Sequence, residues 1–253
     1  MQQDKSLGPK NWFLRLIWPV SHYIITHVAV SAAYLVFTFL NRTTALGREN
    51  IQGKKNILLL SNHQSMIDSF LVGTFAFYPK TLIKPSLIPW NPAAEENFYS
   101  NPVLGWFSSN WKCIPIKKGR KDVGAIFRMA TALRNGTMTL FPEGTRTRDG
   151  SIGKARGGAG LLILENQPTV IPVCIDGMNK MLPIGSIAPR LFQRIYVSYG
   201  KPMDLSSFYS QEKSREVSGK VMEAVMDRIR EMQGEINALK EREANAVTSK
   251  IKV

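Results

Sequence analysis

His63 and Asp68 stand five positions apart in the stretch Asn62-His63-Gln64-Ser65-Met66-Ile67-Asp68, which directly follows the apolar run Ile57-Leu58-Leu59-Leu60 and its closing Ser61. A run of that kind reads as a strand buried on both faces, and the residues after such a strand lie where open α/β sheets build their sites. An aspartate that accepts one imidazole N–H fixes the tautomer and leaves the other ring nitrogen as a base. An alcohol is almost un-ionised at neutral pH, so a base of this kind is what attack by a hydroxyl on a thioester carbonyl requires. His63 is the only histidine outside the apolar N-terminal stretch that holds His22 and His27, so histidine chemistry in the body of the chain falls to it. Taken alone, a His and an Asp this close are more often a capping pair.

A second motif, Phe141-Pro142-Glu143-Gly144-Thr145-Arg146, also follows a strand-like run, residues 137–141. Gly144 lets the backbone turn sharply. The planar fork of Arg146 suits a phosphate. Arg148, Lys154 and Arg156 follow, and then Gly157-Gly158-Ala159-Gly160, which opens a helix whose free N–H groups an anion could approach. Without other evidence the same residues are equally a charged surface turn.

Several chemistries are absent from the pattern. The sequence has no G-x-S-x-G elbow, no H-E-x-x-H helix and no GxxxxGK[ST] loop. Cys113 and Cys174 form no CxxC pair or Cys/His cluster, so no metal site is expected. Direct attack by an acceptor hydroxyl, with no covalent enzyme intermediate, is the simplest course. The formal net charge of +14 favours anionic partners: nucleic acid, acidic lipid surfaces or phosphorylated substrates. No nucleic-acid recognition motif accompanies it.

The elements that must position these residues alternate. Strand-like runs occur at residues 57–60, 81–83, 112–116, 137–141, 170–175 and 195–199, with helical patterns at 121–134 and 160–165. In the first helix Val123, Ile126, Phe127, Ala130 and Leu133 share one stripe. This order predicts an α/β single domain with a mostly parallel central sheet flanked by helices. A final helix is expected from Ser210 to about Ala246, with Val217, Val221, Met222, Val225, Met226, Ile229, Met232 and Ile236 at helical spacing and a kink or end near Gly234. Residues 16–40 carry no Lys, Arg, Asp or Glu, long enough for a span of roughly 20 apolar residues, though Pro19 breaks or starts a helix there. A membrane helix or short helical hairpin, a buried core helix and a signal peptide all fit this stretch. The division drawn is 1–46 for the apolar membrane-associated segment, 47–208 for the α/β domain and 209–253 for the C-terminal helix and tail.

Together the two motifs resemble the 1-acylglycerol-3-phosphate acyltransferase family. Cys113-Ile114-Pro115-Ile116-Lys117-Lys118-Gly119-Arg120 looks like that family's third block, and Val170-Ile171-Pro172-Val173 like its fourth, in matching order from about Gly47 to Pro202. The resemblance implies transfer of a fatty acyl group from acyl-CoA or acyl-acyl carrier protein to the sn-2 hydroxyl of a lysophospholipid acceptor, 1-acylglycerol 3-phosphate, with no cofactor and with membrane lipids as partners. It implies His63 as general base, Asp68 as its orienting partner, and Glu143, Gly144 and Arg146 as acceptor-binding residues. Lys117 and Lys118 replace the acidic residue and arginine that usually end the third block, so Lys118 meets phosphate as a point charge. Lys84, after the expected strand 81–83, adds positive charge to the same pocket. The implied location is a membrane surface, with the active site on the cytoplasmic side. Another lysolipid such as lyso-ornithine lipid, or glycerol 3-phosphate itself, would suit the same chemistry. A non-catalytic membrane-binding protein would explain the apolar N-terminus and the charge, but not the paired motifs.

Overall fold

Residues 57–60 offer no polar side chain to water on either face, and the chain answers by covering both. The computed structural model describes residues 11–53, 55–117, 122–156 and 158–251. Its strands are β1 (Arg42–Leu46), β2 (Ile57–Ser61), β3 (Asn91–Ala94), β4 (Cys113–Ile116), β5 (Thr137–Leu140), β6 (Thr169–Asp176) and β7 (Arg194–Tyr199). The helices are α1 (Trp12–Leu35), α2 (Asp68–Phe77), α3 (Lys80–Ile83), α4 (Glu95–Phe98), α5 (Pro102–Asn110), α6 (Val123–Asn135), α7 (Gly158–Asn166), α8 (Met178–Met181), α9 (Ser206–Tyr209) and α10 (Arg215–Ile251).

Five strands form a sheet in the order β1-β7-β6-β2-β5, and β3 pairs with β4 alongside it. A single bridge between Trp90 and Met138 joins the two. β6, β2 and β5 run parallel, β1 runs parallel to β7, and β7 is antiparallel to β6. Alternation along β2 separates two cores. Ile57 and Leu59 pack with Leu71, Val72 and Phe75 of α2. Leu58 and Leu60 pack with Val221, Met222 and Val225 of α10. The fold is the expected one: an α/β domain with a mostly parallel sheet between helices.

The C-terminal stripe is buried at all eight positions named from its spacing. The helix runs through Gly234 to Ile251 without ending, because packing against the sheet, rather than the propensity of one residue, decides it. Its approach to α7 depends on a glycine: a Cβ at Gly160 would lie 2.3 Å from the Ser218 carbonyl oxygen.

Several expectations are corrected. Residues 81–83 belong to the short helix α3, not to a strand, since three residues carry no usable period and Pro79 starts a helical turn. In α6 the inward residues are Ala125, Ala130, Ala132 and Leu133, so Ala130 and Leu133 of the expected stripe face the core while Ile126 and Phe127 lie exposed. β1 and β3 escaped notice because neither is apolar. β1 pairs with β7, so the sheet begins at Arg42, ahead of the boundary drawn after residue 46.

Pro19 lies inside α1 and does not stop it. The helix starts where the Asn11 side chain accepts from Phe13 N at 2.9 Å. Past the proline it is held from outside. Trp18 Nε1 donates to Ser109 O, Ser21 Oγ to Asn110 Oδ1 at 2.8 Å, and His22 Nδ1 lies 2.7 Å from Asn110 O. Val30 and Phe37 are buried against the domain. The helix ends in a wider turn, Val36–Leu40.

Candidate active site

The carboxyl ends of β2 and β5 lie side by side, with Leu60 opposite Leu140. This register sets the His63 loop against the Glu143 loop. Asn62 and Gln64 anchor the first loop to β6 and the turn after it. Asn62 bonds both backbone groups of Ile175, donating to its oxygen at 2.9 Å and accepting from its nitrogen at 2.8 Å. Gln64 donates to Ile175 O at 3.1 Å and accepts from Met178 N at 3.0 Å. His63 lies between these two anchors.

The His63 ring stacks on Phe141, with centroids 4.2 Å apart and planes at 18°. Its Nδ1 lies 2.9 Å from Asp68 Oδ2. Asp68 opens α2 and is wholly buried, and the same oxygen accepts from Gln64 N at 2.6 Å and Ser65 N at 2.8 Å. The sharp bend the motif needs is thus closed around one carboxylate oxygen. Burial pushes the Asp68 carboxyl up from the usual carboxylate range, opposed by the bonds from His63, Ser65 and Gln64. With Nδ1–H donating to Asp68, the lone pair of the ring falls on Nε2. The His63 side chain is 20% exposed. The ring thus has one orienting partner and one partly exposed face, the geometry that a general base requires.

Glu143 sits beneath this pair rather than in front of it. It is buried; Oε1 accepts from His63 N and Oε2 from Gly153 N, each at 3.0 Å. Burial raises its carboxyl also, against the two N–H bonds. Thr147 completes the clamp by donating its backbone N–H to His63 O at 2.9 Å. In this arrangement Glu143 braces the loop, with each of its oxygens accepting from a backbone N–H. Gly144 likewise works as a turn, at φ 64, with the Arg156 side chain across it where a Cβ would stand 2.9 Å from Arg156 Cδ. Any side chain there would be strained and crowded.

Arg146 is half-buried and makes no hydrogen bond or ion pair among the described residues. Arg148, Lys154 and Arg156 are exposed around it. Lys118 lies outside the described residues. Lys84 is not brought to this cluster. α2 starts at Asp68 and its ten residues carry the chain away from the carboxyl ends, roughly 15 Å at 1.5 Å per residue. Arg48, just past β1, bonds Tyr78 O at that far end, and Lys112, just ahead of β4, donates to Ser86 O at 2.9 Å. Lys84 lies between these points, at the amino end of the parallel strands. Gly160, expected to open a helix toward an anion, is closed off by Ser218.

An acyltransferase family model matches residues 42–176, more than half of the chain and the whole of this site. The chain belongs to the acyltransferase family. Its match begins with β1 and ends with β6, so both motif loops and the strands that carry them are the family's core. Among acyltransferases of known name, the chloroplastic 1-acyl-sn-glycerol-3-phosphate acyltransferase LPAT1 of Arabidopsis thaliana is 30% identical over 151 residues, 54% of this chain and 38% of that one. An N-acylphosphatidylethanolamine synthase, also from Arabidopsis thaliana, is 29% identical over 136 residues, 50% of this chain and 46% of that one. The chain spans about two fifths of the length of the first curated relatives it matches, 38% and 40%. The crystal structure of the 1-acyl-sn-glycerophosphate acyltransferase PlsC from Thermotoga maritima has the same fold, with TM-score 0.59 and 24% identity, covering 81% of this chain and 79% of that one.

Proposed function

We propose that this acyltransferase moves a fatty acyl group from acyl-CoA or acyl-acyl carrier protein to the sn-2 hydroxyl of 1-acylglycerol 3-phosphate, forming phosphatidic acid. His63 Nε2 takes the hydroxyl proton as the oxygen attacks the thioester carbonyl carbon. The tetrahedral intermediate then collapses, the C–S bond breaks, and the imidazolium returns its proton to the departing thiolate. Asp68 holds the tautomer and stabilises the imidazolium. The observation that carries this reading is the short contact of a buried carboxylate with a partly exposed imidazole at the carboxyl end of a parallel strand. Arg146, without a hydrogen-bond or ion-pair partner among the described residues, supports a phosphate-bearing acceptor.

The same reading places the protein at a membrane through α1. One side of this helix is pinned to the domain by Trp18, Ser21, His22, Val30 and Phe37. The other side presents Leu16, Val20, Ile24 and Val28. A helix fastened to a water-soluble body along much of its length is best accommodated in the plane of one leaflet, with the active site on the cytoplasmic side of that leaflet.

The test is an assay of the purified protein against lysolipids and glycerol 3-phosphate with both donor types, read by mass analysis of the product. Phosphatidic acid from 1-acylglycerol 3-phosphate is the expected outcome. Acylation of lyso-ornithine lipid alone would move the acceptor assignment, and no product from any pair would leave a membrane-binding protein without catalysis.

A further inference from the structure

At the end of the α1 segment the structure joins two chain segments that lie far apart in sequence. Phe192 N donates to Leu40 O at 2.7 Å, Arg42 N to Gln193 O at 2.9 Å, and Gln193 N to Asn41 Oδ1 at 3.0 Å. Asn41 is itself buried and donates to Val36 O at 3.1 Å. The loop before β7 is therefore fastened to the last turn of the N-terminal helix and shares its orientation.

What this junction displays is apolar. Phe192 is 76% exposed and Phe39 72%, with Leu40 and Leu191 exposed beside them and Ile187, at 98%, further along the same loop. Phe192 also holds φ 61, a backbone conformation that a bulky side chain rarely adopts. An aromatic ring turned to water from a strained backbone loses twice on its own, which is the signature of a residue whose setting lies outside the chain. Charge indicates the setting. From Lys5 to Arg48, and again from Gly177 to Met203, the sequence contains no Asp or Glu. Arg42 and Arg190 flank the patch, exposed and without an ion pair among the described residues. Glu243 of α10 pairs with Arg194 at the start of β7, which leaves Arg42 and Arg190 as the cations beside the apolar side chains, an arrangement that fits the interface of an anionic bilayer.

We infer that the loop around Leu191 and Phe192 is a second membrane contact, continuous with the outer face of α1 and inserted beside Phe39 and Leu40. It rests on the membrane reading above. The junction lies at the carboxyl end of β6 and the start of β7, on the same end of the sheet as His63. A bilayer held there meets the catalytic end of the domain, so a lipid acceptor can enter laterally instead of crossing water.

The test uses the full chain and vesicles of phosphatidylcholine with and without phosphatidylglycerol. Phe192→Gly removes the ring and suits φ 61, so it is expected to keep or raise Tm while weakening vesicle binding by about ten- to a hundredfold. Arg190→Glu is expected to weaken binding to the anionic vesicles and not to phosphatidylcholine alone. Undiminished binding by Phe192→Gly overturns the second contact and leaves α1 as the anchor. A native dimer in lipid-free solution that Phe192→Gly dissociates also overturns it, making the patch a contact between copies. Native protein that binds neither vesicle refutes the membrane reading itself.

Discussion

The backbone N–H of His63 donates to Glu143 Oε1 at 3.0 Å, so the one carboxylate of the second motif carries the main chain of the first. The second carboxylate oxygen accepts from Gly153, in the basic loop beyond Arg146. One buried side chain thus sets the height of the base relative to the loop that would hold the acceptor. Replacing it with glutamine turns an NH₂ group toward one of the two N–H donors and leaves that donor unpaired, at a cost of roughly 1–3 kcal/mol. Misplacement of the base by about an ångström costs on the order of 10²-fold in rate. We expect Glu143→Gln to lower kcat by about that factor with little change in the KM for acceptor. Steady-state kinetics decide it, because a direct acceptor ligand would move KM instead.

His63→Ala should abolish transfer while leaving the melting temperature near that of the native protein, since the ring is partly exposed and packs on Phe141 alone among aromatic partners. Asp68→Asn keeps an oxygen for the N–H groups of Gln64 and Ser65 but loses the charge that steadies the imidazolium. Its kcat should fall by roughly 10²- to 10⁴-fold. An Asp68→Asn variant that turns over as fast as the native protein would count against the pairing.

How much of this was legible in sequence depends on what each residue answers to. β2, β6 and β7 announced themselves because strands covered on both faces must be apolar throughout. β1, Arg-Thr-Thr-Ala-Leu, and β3, Asn-Pro-Ala-Ala, did not, since each lies toward an edge where polar residues are tolerated. The His63–Asp68 pair was readable because both partners fall within one strand-to-helix turn. The role of Glu143 was not: its partners, His63 N and Gly153 N, are backbone groups 80 and 10 positions away, and backbone partners leave no trace in residue type. Lys84 misled for a related reason. A lysine after an apolar triplet looks the same at either end of a sheet.

Lys112 supplies a prediction about pH. Its ammonium is buried, donates to Ser86 O and Ile88 O, and faces no carboxylate among the described residues; burial brings its pKa down from 10.5 to about 8. The unfolded chain then holds this proton more firmly than the folded one. Stability from this group is at its lowest below pH 8 and rises with pH through the interval up to 10.5, by roughly 3 kcal/mol at most. Cys113 and Cys174, pushed up to about 12, act in the opposite direction above pH 9. They are common to native and variant, so the difference between native protein and Lys112→Met isolates the lysine. Urea midpoints should converge or cross in favour of the native chain as pH rises from 8, and a constant difference would show that the ammonium is not destabilised by burial.

Arg146 is expected to recognise the acceptor's phosphate. Its guanidinium remains charged at any working pH and cannot serve as a base. It stands two residues past the Gly144 turn, half-buried, with no carboxylate to hold it among the described residues. A buried anion deprived of such a partner costs roughly 2–5 kcal/mol. Arg146→Ala should therefore reduce kcat/KM for 1-acylglycerol 3-phosphate by about two to three orders of magnitude, since each 1.4 kcal/mol is tenfold. Arg146→Lys should recover part of the loss, because an ammonium is a point charge and cannot make the paired bonds of the fork. The comparison that decides is with an acceptor lacking phosphate, such as a monoacylglycerol. If Arg146 binds phosphate, Arg146→Ala changes transfer to monoacylglycerol little, and the preference of the enzyme between the two acceptors collapses. An equal loss on both would assign Arg146 to the architecture of the loop, and the phosphate-bearing acceptor class would lose its main support.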